Sequence, residues 1–338
     1  MSLDKNTHIY LPAVERELRQ VVEQVNGAGL EGLYGMLAYH LGWVGEGAYP
    51  PVSGKRIRPL LVLFSASAAG GDWQRALPAA AAVELVHNFS LIHDDIQDNS
   101  PLRRQRPTVW KLWGIPQGIN AGDAMFSLAH LALLRSISRG VSPITTIQAI
   151  QVLDEACLQL TQGQYLDISY ETSLDLTQES YWLMVNGKTG ALLSACTWLG
   201  ALIAEAENSR QAAFRQFGRL LGLAFQAQDD LLGVWGDAAL LGKSTESDLV
   251  MGKKSLPILY GLEKGGLFAK RWEQGPIRAS EVHELARQLE DEGARAFTRA
   301  KVEELTTQAL AALDQAQPQA EAGGALRQLA LRLVQRQA

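Results

Sequence analysis

The chain has 338 residues, 47% of them hydrophobic, and is long enough to bury a large core. Its net charge of -5 at pH 7 argues against nucleic acid as the main partner. The two cysteines, Cys157 and Cys196, lack metal-ligand spacing, and no apolar run reaches transmembrane length. Together these features predict a cytoplasmic protein without a transmembrane segment.

Helix-favouring residues dominate the chain, and β-branched runs with period-two alternation are nearly absent. Helices are predicted at Leu11–Val25, Ala76–Asp95, Ala121–Ser138, Thr145–Gln164, Ser180–Ala206, Gln211–Val234, Leu256–Leu262, Ala279–Asp291, Ala296–Ala316 and Ala325–Gln337. Breakers rich in glycine or proline separate many of them, and EAGG (residues 321–324) is predicted as a further break. No linker marks a domain boundary, so the sequence predicts one all-α domain over residues 1–338.

Basic residues open an apolar helix in SGKRIRPLLVLF (residues 53–64), where Lys55, Arg56 and Arg58 precede or flank Pro59. This segment suits phosphate binding, but a solvated basic helix end explains it equally well. His87 lies on the next apolar helix, where a lone histidine is more often structural than functional.

Three aspartates occur in SLIHDDIQDNSPLRR (residues 90–104). On a helix, Asp94, Asp95 and Asp98 fall within an arc of about 100°. Such a patch provides the oxygen ligands that Mg²⁺ prefers when it shares its shell with substrate phosphates, whereas a solvated acidic face is the alternative. The apolar stretch before the cluster and Arg103 and Arg104 after it favour a site for a metal and a phosphate.

Further cationic groups lie in two glycine-containing stretches. NGKTG (residues 186–190) carries Lys188 and Thr189, but it does not complete a nucleotide P-loop and no strand precedes it. The loop LGKSTESDLVMGKKSLP (residues 241–257) carries Lys243 and Lys253, which can approach phosphates as point charges.

A second acidic pair, Asp229 and Asp230, occurs in FQAQDDLLGVWGD (residues 225–237). Gly233 stands four positions after Asp229. Asp237 lies about 12 Å from Asp229 along the helix axis, which is too far for the two acids to bind the same ion readily. Taken alone, Asp229 and Asp230 indicate a pair of solvent-exposed acids. Together with the first cluster, they predict a site for several metal ions, with the acidic faces of both helices turned inward. The cations exceed what one diphosphate needs, which indicates two anionic substrates.

These motifs resemble the trans-isoprenyl diphosphate synthases, which include farnesyl, geranylgeranyl and longer polyprenyl diphosphate synthases. GKRIRP, LVHNFSLIHDDIQD, RRxRPT, GQYLD, KTG, FQAQDD and GKKSLP occur in the family's order between about Gly54 and Gly261. The resemblance implies an all-α isoprenoid-synthase bundle around a deep central cavity, usually as a homodimer. It also implies condensation of isopentenyl diphosphate with an allylic diphosphate.

The resemblance assigns roles to individual residues. The two aspartate motifs would hold Mg²⁺, about three ions per site. The allylic diphosphate would contact Arg103, Lys188, Thr189, Gln226, Lys243 and Lys253. Isopentenyl diphosphate would contact Lys55, Arg58, His87 and Arg104. Gln164 and Asp167 match GQxxD, where Gln164 would face the reacting region.

Three positions depart from the family's pattern. Ser53 and Gln105 each replace a glycine, and little effect is expected from either. Gly233 replaces the third aspartate of the second motif, which leaves the details of that metal site open.

Product length is expected to depend on Phe89, about one helical turn before Asp94. Its ring would form a floor under the allylic tail, and the small Ser90 beside it would not reinforce that floor. Within the family, this pattern resembles a geranylgeranyl-type enzyme, and farnesyl or longer products are the alternatives. Phe89 could instead be an ordinary core residue without influence on product length.

Two other functions fit parts of the pattern. A class I terpene cyclase also ionises an allylic diphosphate, but its second metal motif needs a hydroxyl and a longer acid where this chain has Gly233 and Asp237. A non-catalytic partner subunit would be expected to lose acids from the first motif, and this chain keeps all three.

Overall fold

The computed structural model describes residues 3–45, 56–173, 176–237 and 247–335. Its helices are α1 (Leu3–Val22), α2 (Glu31–His40), α3 (Ile57–Ala68), α4 (Leu77–Gln97), α5 (Val109–Trp113), α6 (Ile115–Leu134), α7 (Pro143–Glu171), α8 (Gln178–Val185), α9 (Ala191–Ile203), α10 (Asn208–Trp235), α11 (Asp248–Met251), α12 (Leu256–Lys264), α13 (Leu267–Trp272), α14 (Val282–Asp291), α15 (Ala294–Gln315) and α16 (Ala320–Val334). Two short strands, β1 (Leu102–Arg103) and β2 (Arg106–Pro107), form an antiparallel ribbon. The all-α prediction is confirmed, and no helix of the described ranges is long and apolar enough to span a membrane.

Two predicted details of the helices are wrong. The helix predicted over Ser180–Ala206 is interrupted by a π-helical turn at Asn186–Gly190. The break predicted at residues 321–324 lies inside α16, because a glycine lowers helix propensity by only about 1 kcal/mol and packing overrides it. The apolar segments predicted around both aspartate motifs are helical, as α4 and α10.

The chain forms two compact units, and the predicted single domain therefore stays a prediction. The first unit comprises Met1–Asp154, Ala195–Ala212 and Gln317–Leu326, and the second comprises Glu155–Ser194, Ala213–Ala316 and Arg327–Ala338.

Helix α4 is central to the first unit. It packs along α6 and also against α3 and α1. Its first turns carry the fully buried run Ala79–Ala82, whose small side chains let neighbouring helices approach closely. This packing fixes the direction of α4 and therefore the position of the aspartates at its C-terminal end.

A buried ion pair anchors the start of α3 in the same unit. Arg56, 4% exposed, donates to Glu84 on α4 at 2.7 Å and to Glu15 on α1 at 2.7 Å. Glu84 also accepts a hydrogen bond from Asn88 at 3.0 Å. A buried arginine needs such partners, so Arg56 serves the fold and not a ligand.

In the second unit, the end of α10 packs into an apolar core. Val234, Leu249, Ile258 and Phe268 are completely buried in this core. Trp235 Nε1 donates to the carbonyl of Ala286 at 3.1 Å, which ties α10 to α14. The segment after the second aspartate pair is therefore firmly held.

The contact between α9 and α3 in the first unit requires a glycine. A Cβ atom on Gly200 would lie 2.4 Å from the carbonyl oxygen of Val62 and 2.7 Å from Ser65 Cβ. We expect Gly200→Ala to lower the free energy of unfolding by about 1–3 kcal/mol, because the two backbones must separate.

The matched control is Gly35→Ala in α2, where a new Cβ would meet nothing within 4 Å. This variant should gain about 0.5–1 kcal/mol from helix propensity. Urea unfolding of both variants checks the prediction, and equal stabilities would contradict it.

Candidate functional site

The three aspartates of the first motif lie where α4 ends. Asp94 and Asp95 occupy its last turn and Asp98 is its C-cap residue. The C-terminal end of a helix carries a partial negative charge, which adds to the repulsion among these carboxylates. A cation at this helix end would relieve both effects.

Asp95 is the buried member of this cluster, at 1% exposed. Its Oδ1 accepts a hydrogen bond from Arg103 Nε at 2.8 Å, and its Oδ2 is buried without a hydrogen-bond partner among the described residues. Burial raises the pKa of Asp95 to about 6, against the opposing charge of Arg103. The orphaned oxygen and the raised pKa both fit a carboxylate group that lacks part of its positive counter-charge.

The ribbon after α4 presents the two arginines. Arg104 and Gln105 form its turn with φ values of 51° and 62°, in the left-handed region that favours glycine. Tyr39 fastens the ribbon to α2, since its ring lies 4.0 Å from the Arg106 guanidinium and its hydroxyl donates to the Pro107 carbonyl at 2.8 Å. Gln105, which stands where the family has a glycine, therefore adopts a backbone conformation that is strained for a residue with a side chain.

A small cavity lies between α2, the end of α4 and the ribbon. Its lining residues are Tyr39, His40, Leu91, Asp95, Arg103, Arg104, Arg106, Pro107, Thr108 and Val109. Three arginines against one carboxylate give this cavity an excess of positive charge. Such a lining suits an anion with several oxygens, because arginines bind phosphates in two-pronged geometry.

Two histidines lie beside these arginines. Burial, followed by the charges of Arg103 and Arg104, lowers the pKa of His40 to about 3. Burial and the charge of Arg58 hold the pKa of His87 well below its usual range. Both imidazoles are therefore neutral at pH 7, and each ring has one N–H to donate to an anion. His40 was missed in the sequence, where nothing distinguishes it from other histidines.

Phe89 projects from α4 toward α6. Its ring meets Phe126 edge to face at 5.2 Å and His93 at 5.7 Å. Ser90 donates its hydroxyl to the carbonyl of His87 on its own helix at 2.8 Å. The aromatic block at this level of α4 is thus made by Phe89 and Phe126.

In the second unit, Asp230 is held by three donors. Its Oδ2 accepts hydrogen bonds from the Tyr181 hydroxyl at 2.6 Å and the Leu256 amide at 2.9 Å, and its Oδ1 accepts from Gln226 at 2.9 Å. Burial and the charge of Asp230 keep the pKa of Tyr181 well above its usual range, so the tyrosine stays a donor. Asp230 therefore holds its place through protein contacts, and Tyr181 is a site residue that the sequence motifs did not reveal.

The π-helical turn presents Lys188 and Thr189. Lys188 Nζ pairs with Asp167 Oδ2 at 2.5 Å, and Thr189 donates to Gln226 Oε1 at 3.0 Å. π-Turns inside helices are frequent at functional sites, because the extra residue redirects the side chains. The structure therefore brings four predicted residues of this unit together as two contacting pairs.

Two close backbone approaches hold this turn in place. A Cβ on Gly163 would lie 2.1 Å from the Lys188 amide nitrogen, and one on Gly222 would lie 2.8 Å from Gly190 Cα. Only glycines allow α7 and α10 to approach the turn so closely. Gln164, 7% exposed, follows Gly163 directly on α7.

Lys253 lies among carboxylates of the second unit. Desolvation opposes it, but the charges of Asp248, Asp230, Asp167 and Asp229 raise the pKa of Lys253. Its neighbour Lys254 donates to the carbonyls of Tyr170 and Glu171 and so ties this segment to the end of α7. The predicted residues Lys55 and Lys243 lie outside the described residues.

The aspartate motifs fit magnesium only together with a ligand. Within the described ranges, no three His, Cys, Asp or Glu side chains converge closely enough to bind a metal ion by themselves. Mg²⁺ typically keeps waters and shares its shell with substrate phosphates, so a few carboxylates suffice. The orphaned oxygen of Asp95 agrees with that arrangement.

Comparison with known proteins identifies the chain's relatives. The model of the polyprenyl synthetase family matches residues 48–288. A (2E,6E)-farnesyl diphosphate synthase of Mycobacterium tuberculosis is 42% identical over 81% of this chain and 78% of its own length. A geranylgeranyl diphosphate synthase of the same species is 43% identical over 69% of this chain and 66% of its own length.

A solved structure shares the fold. The polyprenyl synthetase of Streptomyces coelicolor A3(2) superposes with a TM-score of 0.85 at 35% identity, covering 96% of this chain and 97% of the other. The two relatives and this structure agree with the resemblance that the motifs indicate.

Because the pKa of His40 is lowered in the folded chain, the free energy of unfolding should decrease in acid. The unfolded chain protonates this imidazole near pH 6.5, whereas the folded chain resists until about pH 3. Stability is therefore lost as the pH falls below 6.5. We expect wild type to lose about 2 kcal/mol between pH 7 and pH 5 that His40→Gln does not lose.

Denaturant unfolding at both pH values checks this difference. His8→Gln, at an exposed position of α1, is the control and should follow wild type. Parallel losses in wild type and His40→Gln would contradict the prediction.

Proposed function

We propose that the main product of this chain is geranylgeranyl diphosphate. The chain belongs to the polyprenyl synthetase family and is a prenyltransferase that condenses isopentenyl diphosphate with allylic diphosphates. Overall identity does not decide the product, since the farnesyl and geranylgeranyl relatives are 42% and 43% identical. Both relatives elongate prenyl chains, so the terpene cyclase alternative is not favoured.

The observation that carries this proposal is the aromatic block at Phe89. Five residues along α4 correspond to about 7.5 Å, so the backbone of Phe89 lies that far before Asp94 along the helix axis. Phe126 packs against the ring from α6 and limits its movement. Ser90, turned back onto its own helix, adds no second ring beside it. One aromatic barrier at this depth supports a product of intermediate length.

We assign each of the two diphosphates to its own set of cationic and polar residues. Isopentenyl diphosphate is bound by Arg58, His87 and Arg104, together with Lys55. The allylic diphosphate is bound by Arg103, Lys188, Thr189, Gln226 and Lys253, together with Lys243. The neutral imidazole of His87 can donate a hydrogen bond without adding a charge to a crowded cationic site.

The side chains then support an ionisation followed by carbon–carbon bond formation. Magnesium, which we propose at three ions per site, would supply positive charge to stabilise the departing diphosphate. Its ligands would come from Asp94, Asp95, Asp98, Asp229 and Asp230. The cations hold the leaving group, and the apolar walls exclude water that would quench the allylic cation.

The next step joins the two substrates. The double bond of isopentenyl diphosphate attacks the allylic cation, and the released diphosphate takes the proton that the adduct loses. Gln164 contributes a neutral amide to the reacting region, and Asp167 positions Lys188 through their ion pair.

We also propose a cytoplasmic homodimer of single-domain subunits. Exposed apolar side chains near the end of α6 and the start of α7 support a subunit contact. They include Leu131, Leu134, Ile137, Ile144 and Ile147, of which Ile144 is 72% exposed. Sedimentation equilibrium tests this proposal, and a monomer at micromolar concentration would contradict it.

Labelled isopentenyl diphosphate, supplied with each allylic primer in turn, tests the proposed function. We expect Mg²⁺-dependent elongation that stops mainly at the twenty-carbon product, as resolved by chromatography. Release of hydrocarbon from geranylgeranyl diphosphate alone, without isopentenyl diphosphate, would contradict the proposal.

Phe89→Ala tests the barrier. Removal of the ring opens space below the allylic tail, so the main product should lengthen by at least one five-carbon unit. The control is Phe297→Ala in the second unit, whose ring stacks on Tyr260 and which should leave product length unchanged. A Phe89→Ala enzyme with unchanged product length would eliminate the barrier.

A further inference from the structure

The second aspartate motif has a gap where its third acid would be. Gly233 follows Asp229 by four residues on α10, so the two positions share one face of the helix. A side chain at position 233 would project beside Asp229, one turn further along. The sequence places no carboxylate there.

Another carboxylate occupies this space. A Cβ on Gly233 would lie 2.4 Å from Asp248 Oδ2, 2.6 Å from its carboxyl carbon and 2.9 Å from Oδ1. The whole carboxylate group of Asp248, the first residue of α11, therefore lies directly against the backbone of Gly233. Glycine at position 233 is what allows this approach, since any larger residue would displace the carboxylate.

The surroundings of Asp248 differ from those of a settled ion pair. Its Oδ2 is buried and has no hydrogen-bond partner among the residues that the structure describes. Lys253 attracts this carboxylate, Asp230 repels it, and the Ser255 hydroxyl is a donor beside it. Asp230 already has three protein donors, whereas the buried Oδ2 of Asp248 has none within the described ranges.

We propose that Asp248 supplies the third carboxylate of the second metal motif, in place of an aspartate at position 233. The inference rests on the proposed magnesium-dependent function. An oxygen of Asp248 contributes to the Mg²⁺ shell next to Asp229, directly or through a bound water. The missing acid of the motif is thus replaced from a segment that follows α10 in the chain.

Mn²⁺ binding in the presence of inorganic pyrophosphate, followed by electron paramagnetic resonance, tests this proposal on the full-length enzyme. Asp248→Asn should weaken Mn²⁺ binding about tenfold or more, as loss of a metal-supporting group does. The double variant Gly233→Asp/Asp248→Ala removes the side-chain atoms that a Cβ at position 233 would meet, restores a carboxylate from α10 and should recover most of the affinity. Asp237→Asn, an exposed acid after α10, is the control and should bind like wild type.

Thermal unfolding provides a second readout. Gly233→Asp alone places two carboxylates in one space and should lower the melting temperature, whereas adding Asp248→Ala empties that space and should reverse the loss. Wild-type affinity in Asp248→Asn, or a double variant no better than either single variant in both measurements, would overturn the proposal. If wild type itself bound no Mn²⁺ and made no elongated product, the proposed function would fail instead.

Discussion

Carboxylates that are buried without full compensation are the constraint on which this structure depends. Asp95 and Asp248 each have a buried oxygen without a hydrogen-bond partner among the described residues. Burial of a carboxylate is unfavourable unless counter-charges and donors surround it. Both aspartates have a pKa raised to about 6, so at neutral pH the folded chain holds charges that would be more stable in water. The surrounding structure supplies cations to limit this penalty.

Those cations are the ones that the proposed function assigns to diphosphates. Arg103 pairs with Asp95 and Lys188 pairs with Asp167, while Lys253 lies among four carboxylates. Without ligands, these cations therefore offset part of the negative charge of the acids in their own unit. Metal ions would satisfy the carboxylates, and the cations would then turn to the diphosphate oxygens. Metal and diphosphate should consequently favour one another's binding.

The sequence predicted the elements that local patterns determine. The apolar helices ending in the two aspartate motifs follow from helical periodicity, and their acids are adjacent in sequence. The π-helical turn could not be predicted, because the glycine contacts that hold it come from α7 and α10, which are distant in the sequence. Tyr181 and Asp248 act on residues 49 and 15 positions away in the chain, and no spacing rule connects them. His40 likewise becomes unusual only when the ribbon places arginines around it.

The mutual dependence of metal and diphosphate is the central claim, and thermal denaturation of the wild-type enzyme tests it most directly. Melting temperatures would be measured with Mg²⁺ alone, with inorganic pyrophosphate alone and with both. The account predicts small shifts for either ligand alone, because each ligand meets charges that are already partly paired within the protein. With both present, the shift should clearly exceed the sum of the separate shifts. A combined shift equal to that sum would contradict the account.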